Sequence, residues 1–346
     1  MEAKNESGTI GAANSELPNI DPKLKLKLKI VPATGPLLDK ILDHTFTVWH
    51  EGLTRAAYGQ WNGAQLRTNW GQTHLRRVAL VDNDGRLLST AKYYRFEARL
   101  RGRDGWMWGL GAVFTPADQR GRGYASILIE RLVEQARAEG AVLGGLFSEI
   151  GAPFYERLGF TVVPFDEVTV SVARRGGAPA MLVRAGEERD LPALAAMHAA
   201  RVEGVTFALR RDAHAIQYAI ARKRLLAGLG PVGLRQVEFF VAEEGASAVA
   251  YVLLSENANG WTLEEAGDRD PAAARLGGML QVLVAREPAQ RTPLIRAWWP
   301  RSFPVPPQLT LVDRTPARDL FMVRPLADVA PPETADDVFY WRSDFF

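Results

Sequence analysis

Residues 119–125, Gln119-Arg120-Gly121-Arg122-Gly123-Tyr124-Ala125, have the make-up of an anion site. A Pro-containing turn precedes them. An amphipathic run follows at once, with Ala125, Leu128, Ile129, Leu132, Val133 and Ala136 spaced to share one helical face. A strand-to-helix junction of this kind aims unpaired backbone N–H groups and the positive end of the helix dipole at one place, where phosphate binds. Gly121 and Gly123 let the backbone approach an anion without a Cβ in the way, and Arg120 and Arg122 add charge. A Walker-type loop needs Lys-Ser/Thr after its last glycine, but Tyr124-Ala125-Ser126 follow here. A dinucleotide fingerprint needs a third glycine, and Ser126 holds that position. The plain alternative is a tight turn with incidental arginines.

The elements that position this loop read as follows. Residues 23–30, KLKLKLKI, alternate with period two, so Leu24, Leu26, Leu28 and Ile30 share one face of a half-buried strand. Pro36 opens a helix through Trp49. Residues 76–114 form three strands, RRVALV, LLSTAKYYRFEARL and WMWGLGAVF, joined by turns at Asn83-Asp84-Gly85 and Arg103-Asp104-Gly105. The helix after the loop ends at Glu139-Gly140, a C-cap. A strand (AVLGGLFSE), a brief helix (PFYERLG) and a last strand near 160–172 complete this half. Residues 174–179 are a linker, and a second cycle repeats the element order: strand 181–185, helix 190–203, the hairpin VEFFVAEE/AVAYVLLSE, strand WTLEEAG, helix 271–286 and strand PLIRAWWP. Its strand-to-helix junction, Gly267-Asp268-Arg269-Asp270-Pro271, carries two acids that would repel a pyrophosphate. The tail ends in an aromatic cluster closing on Phe345 and Phe346.

With 346 residues and 47% hydrophobic content the chain can bury two cores. A net charge of +2 leaves no electrostatic footprint for nucleic acid, and no apolar run is long enough to span a bilayer. Residues 1–22 read as a disordered lead without a signal peptide, and a cytoplasmic location follows by default. Zero cysteines exclude disulfides and a Cys nucleophile, and His44, His50, His74, His198 and His214 have no metal spacing, so no metal is expected. Trp106 and Trp108 face one side of their strand, which suits core packing better than an acceptor pocket. Trp298 and Trp299 point to opposite faces, one of them toward the boundary between the halves.

The loop resembles the acyl-CoA pyrophosphate loop of the GNAT superfamily of N-acyltransferases. The segment Ala152-Pro153-Phe154-Tyr155-Glu156-Arg157-Leu158-Gly159-Phe160 is similar to a later motif of that superfamily. More narrowly, the two segments resemble fungal lysine N-acetyltransferases and their bacterial relatives. The resemblance implies an α/β (α+β) chain with two GNAT-like domains, each a mixed, mostly antiparallel sheet flanked by helices. Residues 23–174 would be the catalytic domain, 175–179 the linker, and 180–346 a degenerate second domain. It also implies acetyl transfer from acetyl-CoA to a primary amine of a small molecule, an amino acid such as lysine or a polyamine-like amine, with a homodimer compatible with this reading. The other readings left open are a non-catalytic CoA-binding sensor or scaffold, and a protein amine acetyltransferase.

By the same resemblance Arg120, Gly121, Arg122, Gly123, Tyr124 and Ala125 would hold the pyrophosphate of acetyl-CoA. Ala112, Val113 and Phe114 would pair their backbone with the pantetheine arm, as a strand edge does. Tyr155 occupies the position of the acid that protonates the departing thiolate. Glu149, at the end of the preceding strand, is the first candidate for the base. Glu97 on the long second strand and the C-terminal carboxylate of Phe346 are the others; for Phe346, a tail packed on or frayed from the second domain is the simpler expectation.

Overall fold

Asp82 accepts hydrogen bonds on Oδ1 from the N–H groups of Asp84 (3.0 Å) and Arg86 (2.9 Å), and Gly85 takes φ 77°. This side-chain-built turn joins two strands of the first sheet in the computed structural model, which describes residues 28–173, 181–288 and 292–346. The strands and helices run in the order β1 (Lys29–Pro32), α1 (Gly35–Trp49), α2 (Arg55–Arg67), α3 (Asn69–His74), β2 (Leu75–Val81), β3 (Leu87–Leu100), β4 (Arg103–Phe114), α4 (Tyr124–Ala138), β5 (Leu143–Ser148), α5 (Pro153–Glu156), β6 (Thr161–Val163) and β7 (Asp166–Val172). The second half continues with β8 (Leu182–Ala185), α6 (Leu191–Val202), β9 (Phe207–Leu209), α7 (Ala213–Leu229), β10 (Gln236–Glu244), β11 (Ser247–Asn257), β12 (Gly260–Asp268), α8 (Ala274–Arg286), β13 (Ile295–Ala297), β14 (Leu309–Pro316), β15 (Leu320–Pro325) and β16 (Val338–Phe339).

Two mixed sheets result, each mostly antiparallel and flanked by helices. The first has the order β1-β2-β3-β4-β5-β15-β6, with β9 pairing the far end of β3 and β16 pairing β9; the second has the order β14-β7-β13-β12-β11-β10-β8. The halves exchange strands. β7, from the first half, lies between β13 and β14, and β15, from the second half, lies between β5 and β6. The single strand expected near 160–172 is therefore two strands in different sheets. Pro164, which lacks an N–H for a ladder, separates them.

Other boundaries moved for local reasons. The hairpin between β3 and β4 turns at Arg101 (φ 49°) and Gly102 (φ 77°), a pair of left-handed residues suited to a two-residue loop, and Asp104-Gly105 lie inside β4. Of the first alternating stretch, Leu28 and Ile30 pack on the core of the first sheet, while Leu24 and Leu26 fall outside the described residues, as does the linker. Trp298 and Trp299 follow the short β13 rather than lying within a longer strand.

α4 lies on the first sheet through Leu128, Ile129, Leu132, Val133 and Ala136, all buried among Leu88, Tyr93, Trp106 and Trp108. Both tryptophans are thus core residues, and Trp106 also carries Arg95 over its face at 4.1 Å. Between the halves lies an aromatic layer. Phe147 from β5 packs on Trp298 (5.6 Å between ring centroids), Phe321 (5.1 Å), Phe345 (4.9 Å) and Phe346 (5.4 Å). No helix among the described residues is long and apolar enough to cross a membrane.

Candidate active site

β4 and β5 pair in parallel only from Met107 opposite Leu143 to Leu110 opposite Leu146. Beyond that point β5 keeps pairing with β15 on its other side, out to Ser148 opposite Leu320. β4 diverges because it carries a bulge. Thr90 faces Phe114 and Lys92 faces Gly111, so Ala112 and Val113 oppose the single residue Ala91, and Ala112 takes the left-handed conformation at φ 46°. A non-glycine residue held there is strained. The bulge turns the edge of β4, from Gly111 to Phe114, into the cleft between the two strands. The expected Ala112, Val113 and Phe114 all lie on this edge.

The glycine-arginine loop follows the β4 edge in the chain and leads into α4. Gly121 (φ 74°) and Gly123 (φ 75°) both need the left-handed region, and a Cβ on Gly121 would meet no atom within 4 Å. α4 starts at Tyr124 with Gly123 as a cap that offers no side chain, so the first-turn N–H groups point outward unsatisfied. Arg120 donates from Nε to the carbonyl of Thr115 (3.2 Å). Arg122 is exposed and has no partner among the described residues. A strand edge, an uncapped helix start and a free guanidinium in succession along the chain suit a long ligand with amides at one end and phosphates at the other.

The equivalent junction of the second half differs in a way its acids foretell. Asp268 is 3% exposed and accepts on Oδ2 from the N–H of Leu276, in the first turn of α8 (2.9 Å), and on Oδ1 from the N–H of Asp270 (2.8 Å). Its own carboxylate stands where a ligand's anion would sit.

The cleft opens into a cavity of 490 Å³ walled by both halves. Tyr155 and Glu149 line it together. The ring of Tyr155 packs edge-on against Phe154 and Phe160, while its hydroxyl has no protein partner among the described residues. Burial, and then the Glu149 charge, push the phenol up to about 12. Glu149 stands exposed at the mouth. Partial desolvation, followed by repulsion from Asp319 and Glu51, raises its carboxyl above the ordinary value. Glu97 does not join them: it pairs loosely with Arg95 (3.8 Å) and lines a neighbouring cavity of 510 Å³ on the other side of the tail.

The tail itself corrects the simpler expectation. Phe346 reaches the cleft and is not merely packed on the second half. Its ring sits between Tyr94 (5.2 Å), Phe96 (4.8 Å) and Phe147, and its carboxyl lies over Gly111, where a Cβ would be 3.5 Å from the carboxyl carbon and oxygen. The anchor is a buried ion cluster. Arg211 donates to both oxygens of Glu265 (2.8 and 2.5 Å), to Ser343 (3.3 Å) and to Nδ1 of neutral His198 (3.0 Å), and pairs with Asp344 (3.2 Å). Arg222 donates to the backbone carbonyl of Phe345.

Sequence reasoning also missed the opposite wall. Arg77 of β2, Lys92 of β3 and Gly111 of β4 are consecutive cross-strand partners, and Arg222 of α7 joins the first two across the cavity. Arg77 is 5% exposed. The signal was present, since Arg77 falls on the same strand face as Leu75, Ala79 and Val81.

Residues 34–163 match the family model described as an acetyltransferase (GNAT) domain, which stops where β6 ends. No curated protein matches the sequence. Among solved structures the chain is similar to a GCN5-related N-acetyltransferase from Kribbella flavida, with 17% identity over 86% of this chain and 71% of that one, TM-score 0.63. It is similar to a probable N-acyltransferase from Enterococcus faecalis V583, with 13% identity over 86% and 73% of the two chains, TM-score 0.62. A GCN5-related N-acetyltransferase from Anabaena variabilis ATCC 29413 gives 9% identity over 87% and 73%, TM-score 0.64. At these identities the likeness is one of fold, and it extends over both halves.

Proposed function

We propose that this chain, a GNAT-superfamily acyltransferase by its domain over residues 34–163, moves an acetyl group from acetyl-CoA to the primary amine of a small molecule. The observation that carries this reading is the convergence of the turned β4 edge, Tyr155 and the Phe346 carboxyl on one cavity, with an uncapped helix start next in the chain after that edge. A cavity walled by both halves favours a small acceptor over a protein chain.

In this reading Arg120 to Ala125 bind the pyrophosphate and Ala112 to Phe114 pair with the pantetheine amides. The same β4 backbone donates to the thioester oxygen as negative charge develops on it. The amine attacks the carbonyl carbon directly, forming the C–N bond, and the C–S bond then breaks. Two protons must move. An alkylammonium has a pKa near 10.4, so freeing its lone pair at neutral pH costs about 4–5 kcal/mol, and a carboxylate must accept that proton. The Phe346 carboxylate is better placed than Glu149: it lies over Gly111 beside the β4 edge and enters no ion pair among the described residues, whereas Glu149 sits at the mouth. Tyr155 supplies the proton for the thiolate, and Glu149 acts through it by keeping the phenol protonated.

Free-thiol release from acetyl-CoA, followed across lysine, polyamines, arylalkylamines and aminoglycosides, tests the reading. Turnover with at least one amine well above hydrolysis is expected, and none across the panel contradicts it. Deleting Phe346 is expected to lower kcat more than Glu149→Gln does; the reverse order would move the base to Glu149.

A further inference from the structure

The acceptor end of the cavity carries more positive charge than the protein neutralises. Lys223 is paired with Glu264 (2.7 Å) and Arg235 with Glu51 (3.0 Å). Arg77, Lys92 and Arg222 have no carboxylate partner among the described residues. Among the described residues Nε and Nη2 of Arg77 are buried without any hydrogen bond, Lys92 Nζ reaches the amide oxygen of Gln65 (3.3 Å) and lies 5.6 Å over the Trp61 ring, and Arg222 donates to a backbone carbonyl. Arg77 and Lys92 are direct cross-strand partners, and like charges in that relation destabilise a sheet. A buried guanidinium with empty donors adds a desolvation cost. The Phe346 carboxylate does not relieve it, since it contacts none of the three closely enough to pair. Burial, then the charges of Arg77 and Arg222, hold the Lys92 ammonium well below its ordinary pKa; a carboxylate bound beside it would favour the charged form again.

We infer that Arg77, Lys92 and Arg222 form the subsite for a carboxylate carried by the acceptor, so that the substrate class is an amine that also bears a carboxylate. This deepens the acetyltransfer reading and rests on it. The row Arg77, Lys92, Gly111 sets the distance. Two strand spacings, about 10 Å, separate Arg77 from the β4 edge where the acetyl group is presented. A carboxylate seated at the cations would leave room for a side-chain amine several bonds away to reach the thioester. A guanidinium with paired donors suits a carboxylate's two oxygens, and a dication such as a polyamine has no group for this wall.

The test compares acceptors that differ only in the carboxylate: lysine against cadaverine, and ε-aminocaproate against pentylamine. The carboxylate member of each pair is expected to have a kcat/KM about ten- to a hundredfold higher, mostly through KM. Arg77→Met and Lys92→Met each pull that ratio toward one, and Arg77→Lys keeps part of it. Thermal unfolding of Arg77→Met is expected to stay level or improve, because an unpaired buried cation has been removed; a fall of several degrees would mark Arg77 as structural and overturn the inference. Equal or better turnover of the decarboxylated amines would also overturn it while leaving acetyl transfer standing. If no amine turns over, acetyl transfer fails, and calorimetry of the CoA-loaded chain with ε-aminocaproate still decides the subsite. Binding weakened by Arg77→Met supports it; absent or unmoved binding refutes it.

Discussion

Replacing Tyr155 by Phe should lower kcat by about a hundred- to ten-thousandfold, the range of a lost general acid, while the CoA dissociation constant and the unfolding temperature stay where they were. The separation follows from how the side chain is held. Its ring is 8% exposed and fixed against Phe154 and Phe160, contacts a phenylalanine keeps. Its hydroxyl bonds to no protein group among the described residues, so removing it strands no buried partner. What disappears is the proton donor of the proposed mechanism. The phenol, pushed up to about 12, stays protonated through the neutral range, and the burial that disfavours a phenolate there disfavours a bare thiolate as well. Steady-state kinetics with acetyl-CoA and the best amine of the panel, with calorimetry alongside, reads both halves of the prediction. A variant that keeps full kcat would remove Tyr155 from the chemistry.

Replacing Arg211 by Met should cost about 3–5 kcal/mol of stability, read by denaturant unfolding, and should cut activity as well. Among the described residues Arg211 is the one cation paired with both Glu265 and Asp344, whose side chains are each 2% exposed. Deleting it leaves both buried acids without their counter-charge. The mate variant is milder. Burial raises the Asp344 carboxyl to about 6, so its charge is already disfavoured, and Asp344→Asn keeps an oxygen to accept the Trp341 N–H (2.9 Å); a loss within about 1 kcal/mol is expected. Activity follows stability here because Asp344 lies two residues from Phe346. Once the cluster opens, the terminal carboxyl is held over Gly111 only by the Arg222 bond to the Phe345 carbonyl and by the packing of the Phe346 ring. A fully active, wild-type-stable Arg211→Met would break the link between the second half and the site.

What the sequence revealed was local. The loop at 119–125 was legible because anion binding at a helix start is built from adjacent residues, and β3 was legible because it is rich in β-forming residues and a turn ending in Asp84-Gly85 marks its start. α2 was not, since its buried face includes Asn62 and Gln65 and two glycines interrupt its periodicity. α7 serves both halves, burying Ile216 and Ile220 on one and Tyr218 on the other, which blurs any single apolar stripe. The exchange of β7 and β15, the arrival of Phe346 at Gly111, and the meeting of Arg77 with Arg222 each join residues more than a hundred positions apart. No window of sequence contains such pairs.

One acyl-CoA site per chain, built on the first half's glycine-arginine loop, is tested most directly by calorimetric titration with CoA. One CoA per chain is expected, because Asp268 already fills the helix start of the second half. Arg122→Glu, which puts a carboxylate beside the pyrophosphate, should weaken the site at least about tenfold. Two CoA per chain, or a dissociation constant that Arg122→Glu leaves unchanged, would contradict the account.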